Sequence, residues 1–270
     1  MSKLEKVLYE LSQIERSSGQ TSPLHTIDAR AKVVVTLLFL IFVLSLSVYN
    51  LSGLILFFIY PIVSCSMAGI SYGYIFKRSL IVLPFILLVG IFNPLLNRQV
   101  VFYAGGIGIT AGWISFFSIL IRGIVSAQAV FILIYTTGFY RICRGMIRMG
   151  IPSVLTTQLL FVYRYIFVLL QEALNMDRAR AARSFGQKSY SFRMWGIFIG
   201  QLLIRTIERS ERIHRAMLSR GFTGKIEVNF HSEEGEWGAK ETCYLIIWTC
   251  LFVVLITYHL TDMLCRSTNV

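Results

Sequence analysis

Charged side chains are scarce in this sequence. Only 15% of the 270 residues are Asp, Glu, Lys or Arg, whereas soluble domains carry about 25%. Four long runs contain no charged residue at all, and they cover residues 33–76, 79–97, 99–121 and 242–261. About 20 consecutive apolar residues are enough to cross a bilayer as a helix. The shortage of charge therefore excludes an ordinary soluble domain and predicts an all-α, polytopic membrane protein.

The uncharged runs predict about five transmembrane helices, at residues 32–49, 52–70, 79–97, 112–137 and 243–261. We expect an N-terminal amphipathic or interfacial segment (1–31), transmembrane helices 1–4 (32–138), cytoplasmic coupling helices (139–225), an acidic linker (226–242) and a C-terminal transmembrane helix (243–270). Lys and Arg collect on the cytoplasmic side of membrane proteins. Their distribution places the N-terminus and residues 139–225 in the cytoplasm and the C-terminus outside. Two alternatives stay open, a re-entrant last segment and a sixth span within 152–171.

Catalytic and metal-binding motifs are also missing. The sequence contains no Walker loop, no GxGxxG fingerprint and no HExxH zinc motif. Its four histidines are scattered and its five cysteines include no CxxC pair, so we expect packed free thiols and no metal site. The apolar runs hold no carboxylate, and Asp177 is the only Asp within 139–225. This disfavours a membrane lipid-modifying enzyme, the alternative function, and we expect no catalytic residues and no cofactor.

Positive charge, in contrast, is concentrated in one segment. Residues 139–225 contain fifteen Lys and Arg against four acids, a net charge of +11 out of +12 for the whole chain. The arginines alternate with apolar residues, which favours a protein partner or membrane phospholipid over nucleic acid. Apolar steps of three and four residues predict one helix after Pro152 and a second from about residue 193 to 219. A basic scaffold held by anionic lipid is a third hypothesis for the function.

Both predicted helices end in similar arginine motifs. The first is Ala182-Arg183-Ser184, followed by Phe185, and the second is Ser219-Arg220-Gly221, followed by Phe222. A cation suits the C-terminal end of a helix, and a nearby glycine commonly stops one, so each motif alone is an ordinary helix end. Small residues on both sides of each arginine favour docking, because the planar guanidinium binds carboxylates and carbonyls at close range. Phe185 and Phe222 are possible docking anchors.

One arginine, Arg122, interrupts the fourth predicted transmembrane helix. A charge in the membrane is costly, so it must pair, face a polar cavity or reach an interface. No acid lies within one or two helical turns of Arg122 in the sequence. We expect this arginine to lie near one end of a tilted helix, with a contact to another membrane subunit as the alternative.

Several stretches of the sequence resemble one known family. They are SPLHTIDARAK, LPFILLVGIFNPLL, LLFVYRYIFVLLQEA, RAARSFG and LLIRTIERSERIHRAMLSRGFTG. Together, over about residues 20–225, they resemble the transmembrane T component of energy-coupling factor (ECF) transporters, and most closely CbiQ of cobalt and nickel importers. The resemblance implies a prokaryotic inner-membrane subunit whose two arginine motifs dock into two ATP-binding cassette ATPase subunits. It also implies a separate, CbiM-like S component that captures cobalt or nickel, and a vitamin importer of the same class stays open.

Overall fold

The structure is a computed structural model of the 270-residue chain. It describes residues 5, 6, 9, 22–46, 51–96, 100–104, 107–183, 191–222 and 237–267, with side chains left out at 51, 52, 95, 96, 100–104, 107–109 and 258–267. The chain divides into two compact units, Ser17–Gly138 with Glu234–Val270 and Phe139–Glu233 with Met1–Arg16. The predicted N-terminal amphipathic helix lies mostly outside the described residues, and residues 5, 6 and 9 are helical.

The described chain is built almost entirely from helices. In chain order they are α1 (Ala29–Ser45), α2 (Leu51–Leu56), α3 (Ile59–Ala68), α4 (Tyr72–Ser79), a 3₁₀ turn (Leu80–Val82), α5 (Leu83–Gly90), α6 (Phe92–Leu96), α7 (Ala111–Thr137), α8 (Phe139–Arg148), α9 (Ser153–Arg183), α10 (Phe192–Leu218) and α11 (Ala239–Ser267). A short antiparallel hairpin, β1 (Val100–Ala104) and β2 (Ile107–Thr110), precedes α7. This architecture confirms the predicted all-α fold class.

Four segments within the described residues are long and apolar enough to cross a membrane. They are Tyr72–Pro94, Ala111–Thr137, Ser153–Arg183 and Ala239–Thr257, and a shorter apolar stretch covers Gly53–Ala68. These segments confirm a polytopic membrane protein. Because α9 qualifies by length and composition, it also matches the open alternative of a span within 152–171. The cytoplasmic placement of residues 139–225 therefore stays a prediction.

Four of the five predicted spans have different boundaries in the structure. The helix expected at 32–49 covers Ala29–Ser45, and the one expected at 243–261 covers Ala239–Ser267. The span expected at 52–70 is interrupted at Phe57 and Phe58, between α2 and α3, and the span expected from residue 79 begins at Tyr72. Lys77 and Arg78, which directly precede the span expected from residue 79, belong to the last turn of α4. Long cationic side chains near a helix end can keep their charge at an interface while the backbone stays helical. A charged pair alone therefore does not mark the start of a span.

The core of the unit that contains α1 is an aromatic cluster. The ring of Phe39 stacks on Tyr60 with centroids 4.3 Å apart and lies 5.5 Å from Phe252, and Trp248 meets Tyr60 edge-on at 4.7 Å. All four side chains are buried. Aromatic pairs of this kind contribute ~0.5–1.5 kcal/mol beyond their buried area. The cluster therefore holds α11, the last helix, against α1 and α3.

Two cations bind the carbonyl ends of the packed helices α1 and α7. The guanidinium of Arg122 donates a hydrogen bond of 2.8 Å to the carbonyl oxygen of Leu46, the residue that follows α1. The ammonium of Lys32, which is 3% exposed, donates a bond of 3.3 Å to the carbonyl oxygen of Thr136 in the last turn of α7. Carbonyls at helix C-terminal ends lack intrahelical donors. Arg122 is the twelfth of the 27 residues of α7, so the expectation that it lies near one end of its helix is wrong. It has instead a main-chain partner within its own unit.

The cysteines differ in their surroundings. Cys65 and Cys143 are buried free thiols, as predicted, whereas Cys243 and Cys250 are free and exposed on α11. The prediction of packing is wrong for these two, because an apolar run does not show which face of a helix is covered. The side chain of Cys265 lies outside the described residues.

Candidate functional site

The two helices that carry the arginine motifs, α9 and α10, pack as an antiparallel pair. Arg205 on α10 forms an ion pair of 2.7 Å with Glu172 on α9. Phe222, which follows α10, lies with its ring 6.3 Å from that of Phe161 near the start of α9. The two contacts occur in opposite order along the two helices. The C-terminal end of α10 therefore lies beside the first half of α9.

The second half of α10 is charged and exposed. Glu208 and Arg212 approach to 3.9 Å, and Glu211 and Arg215 approach to 3.1 Å. These are the i, i+4 pairs that stabilise an exposed helix by about 0.3–0.5 kcal/mol each. This half of α10 therefore keeps its helical form while it exposes most of its side chains.

The second arginine motif ends α10 in a left-handed glycine turn. Gly221 has a φ of +79°. Its N–H donates to the carbonyl of Leu218, and the N–H of Phe222 donates to the carbonyl of Met217, both at 3.0 Å. This is the Schellman pattern, in which an apolar contact usually accompanies the turn. Here Met217 and Phe222 line the same groove. The two hydrogen bonds and the left-handed conformation of Gly221 end helix α10 at this turn.

The turn presents Arg220 to the outside. Ser219, Arg220 and Gly221 are exposed, whereas Phe222 is half-buried beside Phe161. Arg220 forms no ion pair with any residue that the structure describes. The packing of Phe222 against α9 therefore fixes the backbone that carries the exposed guanidinium of Arg220.

The first arginine motif is only partly described. Ala182 and Arg183 are the last two residues of α9, and both are exposed. Arg183 has no ion pair within the described part of the chain. Ser184 and Phe185 lie outside the described residues. Their predicted roles in docking stay predictions.

The structure does not bring the two arginine motifs together. Arg180, close to the first motif, contacts the sulfur of Met194 near the start of α10 at 3.4 Å. The second motif lies beside Phe161, 22 residues before Arg183 on α9. At a rise of about 1.5 Å per residue, the motifs are roughly 30 Å apart. They can therefore serve two separate binding sites but not a single one.

A groove of about 620 Å³ runs between α9 and α10. Its α9 side is mainly apolar, and its α10 side adds two basic groups. Representative lining residues are Phe161, Ile166 and Leu169 on α9, and Arg209, His214 and Met217 on α10. The groove could not be predicted from the sequence because it depends on how the helices pair. The three- and four-residue apolar steps along α9 were the available signal.

The chemical groups that the described part of this site provides for binding are cations and apolar side chains. Among them there is no group of three or more His, Cys, Asp or Glu side chains that could hold a metal ion. Burial raises the pKa of the Cys143 thiol on α8 to about 11, so this thiol is protonated and a poor nucleophile at neutral pH. Exposed guanidinium groups on rigid helix ends suit the binding of a partner surface.

Comparisons with known proteins agree with a membrane transport family. The family described as CbiQ, cobalt transport protein, matches residues 20–231. Two proteins of Methanocaldococcus jannaschii are similar to the chain. Uncharacterized protein MJ1571 is 26% identical over 263 residues, which cover 94% of this chain and 88% of that protein. Uncharacterized protein MJ1089 is 25% identical over 147 residues, 54% of each chain.

Proposed function

Because the chain belongs to the CbiQ cobalt transport protein family, we propose that it is the transmembrane coupling (T) component of an ATP-driven ECF importer. In this proposal, two ATP-binding cassette ATPase subunits bind the chain on the cytoplasmic side of a prokaryotic inner membrane. A CbiM-like S component binds the substrate, cobalt or nickel. The chain itself catalyses no reaction and transmits the movement of the ATPases to the S component.

One observation supports this proposal above the others. Arg183 and Arg220 are exposed, form no ion pair within the described residues, and lie at opposite ends of one helix pair. Two copies of a similar ATPase need two similar docking elements that are far enough apart for each copy to reach one. The separation of roughly 30 Å along α9 meets this requirement.

The same geometry provides a mechanism for coupling. A guanidinium can make two parallel hydrogen bonds to a carboxylate, and its small neighbours allow the backbone to enter a groove. When two ATPase subunits close on ATP, the docked ends of α9 and α10 are carried toward each other or rotated. Because α9 and α10 are continuous helices of 31 and 27 residues, they pass that movement on as rigid levers.

Charge reversal tests the docking. Arg183→Glu and Arg220→Glu should each insert normally in the membrane but weaken ATPase co-purification by at least about 2 kcal/mol, the scale of an interface hot spot. Arg215→Glu is the matched control, since Arg215 is also exposed on α10 but pairs with Glu211 within the helix. ATPase recovery and radioactive cobalt uptake are measured for each variant. Recovery equal to the control in both single variants and in the double variant would disprove the docking.

Charge-preserving variants separate docking from attraction to lipid. Arg183→Lys and Arg220→Lys keep the positive charge but lose the planar two-point contact. We expect both to reduce ATPase recovery. Recovery at the wild-type level would instead favour a basic scaffold that is held by anionic lipid.

A further inference from the structure

The groove between α9 and α10 combines an apolar wall with a basic wall. Its volume of about 620 Å³ falls within the ~300–1,000 Å³ range of small-molecule sites. Phe161 and Phe222 both line it, with their rings 6.3 Å apart. None of the described residues that line it is acidic. We propose that this groove binds one anionic phospholipid, with an acyl chain along α9 and the phosphate at Arg209.

Arg209 is the residue that selects for an anion. It lines the groove and also a second recess of about 270 Å³, whose lining includes two arginines and two acids, Arg205, Arg212, Glu172 and Glu208. Arg205 is engaged by Glu172 at 2.7 Å, and Arg212 by Glu208 at 3.9 Å. Arg209 itself has no ion pair with any described residue. It is therefore the cation at this junction that remains available for a phosphate.

The apolar wall selects for an acyl chain. Val154, Phe161, Val162, Ile166 and Leu169 share this wall, in the first half of α9. Helix α9 as a whole is long and apolar enough to cross a membrane, and its side chains Val154, Val162 and Ile166 are exposed in the structure. A lipid chain would cover this surface without any polar group on the ligand being buried. His214, on the opposite wall, adds a second donor near the groove.

This proposal does not rest on ATPase docking, because neither Arg183 nor Arg220 lines the groove. The test uses the purified full chain in detergent, titrated with phosphatidylglycerol or with phosphatidylcholine. Native mass spectrometry counts the lipids that stay bound. We expect one phosphatidylglycerol to bind about tenfold more tightly than phosphatidylcholine. Both lipids carry a phosphate, but the trimethylammonium group of phosphatidylcholine would offset that charge and would lie beside the positive charge of Arg209.

Two substitutions and their controls locate the site. Arg209→Gln should lower the affinity for phosphatidylglycerol about tenfold, whereas Arg215→Gln, which removes the same charge outside the groove, should leave it unchanged. Ile166→Trp should fill the groove and reduce binding of both lipids. Ile199→Trp, at an exposed position on α10 outside the groove, should reduce neither.

Three results would overturn the proposal. Equal loss in Arg209→Gln and Arg215→Gln would show that the attraction follows total charge and not this site. Unchanged binding in Ile166→Trp would show that the acyl chain lies elsewhere. If Ile166→Trp keeps its lipid but releases another polypeptide from the assembled transporter, the groove is a protein interface. The ATPase recovery of Arg183→Glu and Arg220→Glu tests the docking proposal separately, and none of these three results depends on it.

Discussion

Arg122 donates a hydrogen bond of 2.8 Å to the carbonyl oxygen of Leu46, and this contact has a counterpart at the other end of the same helix pair. There, the ammonium of Lys32 lies 3.3 Å from the carbonyl oxygen of Thr136. Fourteen residues separate Lys32 from Leu46, and fourteen separate Arg122 from Thr136. Both intervals span roughly 21 Å in a helix. Helices α1 and α7 are therefore antiparallel and in register, and each supplies the cation that caps the other.

Replacement of Arg122 by Met should destabilise the membrane unit. The substitution leaves the carbonyl of Leu46 without its charged donor, and such bonds contribute about 1.5–3 kcal/mol. We expect the apparent melting temperature in detergent to fall by roughly 4–8 °C. Arg215→Met, which removes an exposed arginine paired only along its own helix, should change it by less than about 2 °C. Equal melting temperatures for the two variants would contradict the capping role.

Replacement of Lys32 by Met should also destabilise, and independently of Arg122. Lys32 is 3% exposed and bonds to the end of α7, whereas the control Lys240 is exposed at the start of α11. Because the two caps are roughly 21 Å apart, their effects should add within about 0.5 kcal/mol. Urea unfolding of Lys32→Met, Arg122→Met and the double variant measures this. A coupling well above that limit would show that the two caps act through one shared contact.

Much of the helical framework could be predicted from the sequence. The helices at 111–137, 153–183 and 192–218 agree with prediction within two residues, because each has a long apolar or amphipathic repeat. Pro152 also marks the start of α9. The break in the helix at Phe57 and Phe58 could not be predicted, because phenylalanine has only a slightly lower helix propensity than the best helix formers.

The contacts of Arg122 and Lys32 with helix-end carbonyls also could not be predicted, but for a different reason. A sequence shows acidic side chains but not the carbonyl groups at helix ends, so Arg122 had no visible partner. The groove between α9 and α10 likewise depends on the pairing of Glu172 with Arg205 and of Phe161 with Phe222, which places residues 33 and 61 positions apart side by side. Only the exposed ends of these helices, where the arginine motifs lie, could be recognised from local pattern.

Replacement by alanine should change the stability of the protein in opposite directions at two glycines, Gly200 within α10 and Gly221 just after it. Gly221 has a φ of +79°, a conformation that costs an L-residue about 1–2 kcal/mol. Gly200 lies within the helix, and a Cβ there would meet nothing within 4 Å. Alanine is about 1 kcal/mol better than glycine in a helix interior. We therefore expect Gly221→Ala to lower the melting temperature and Gly200→Ala to raise it.

The same two variants test whether the position of Arg220 depends on the glycine turn. Strain at Gly221 should displace Phe222 from Phe161 and so disturb Arg220, whereas Gly200→Ala should not. ATPase recovery should accordingly fall only in Gly221→Ala. If both variants shift stability in the same direction, the left-handed turn at the end of α10 is not the state that the protein adopts.

The thiol of Cys143 should react slowly with alkylating reagents at neutral pH and faster only at high pH. Burial raises its pKa to about 11, so at pH 8 only about 0.1% is thiolate, against roughly a quarter for an unperturbed cysteine. In a variant with the other four cysteines replaced by Ala, N-ethylmaleimide labelling at pH 8 should therefore be at least about a hundredfold slower in the native state than in denaturant. Below the raised pKa the native thiolate fraction rises tenfold per pH unit. The native labelling rate should therefore climb about tenfold per unit between pH 7 and pH 9, while the denatured rate levels off near pH 9. A single-cysteine variant that retains Cys243, which is exposed, controls for access of the reagent. A native rate at Cys143 that levels off near pH 9 would contradict the burial of this thiol on α8.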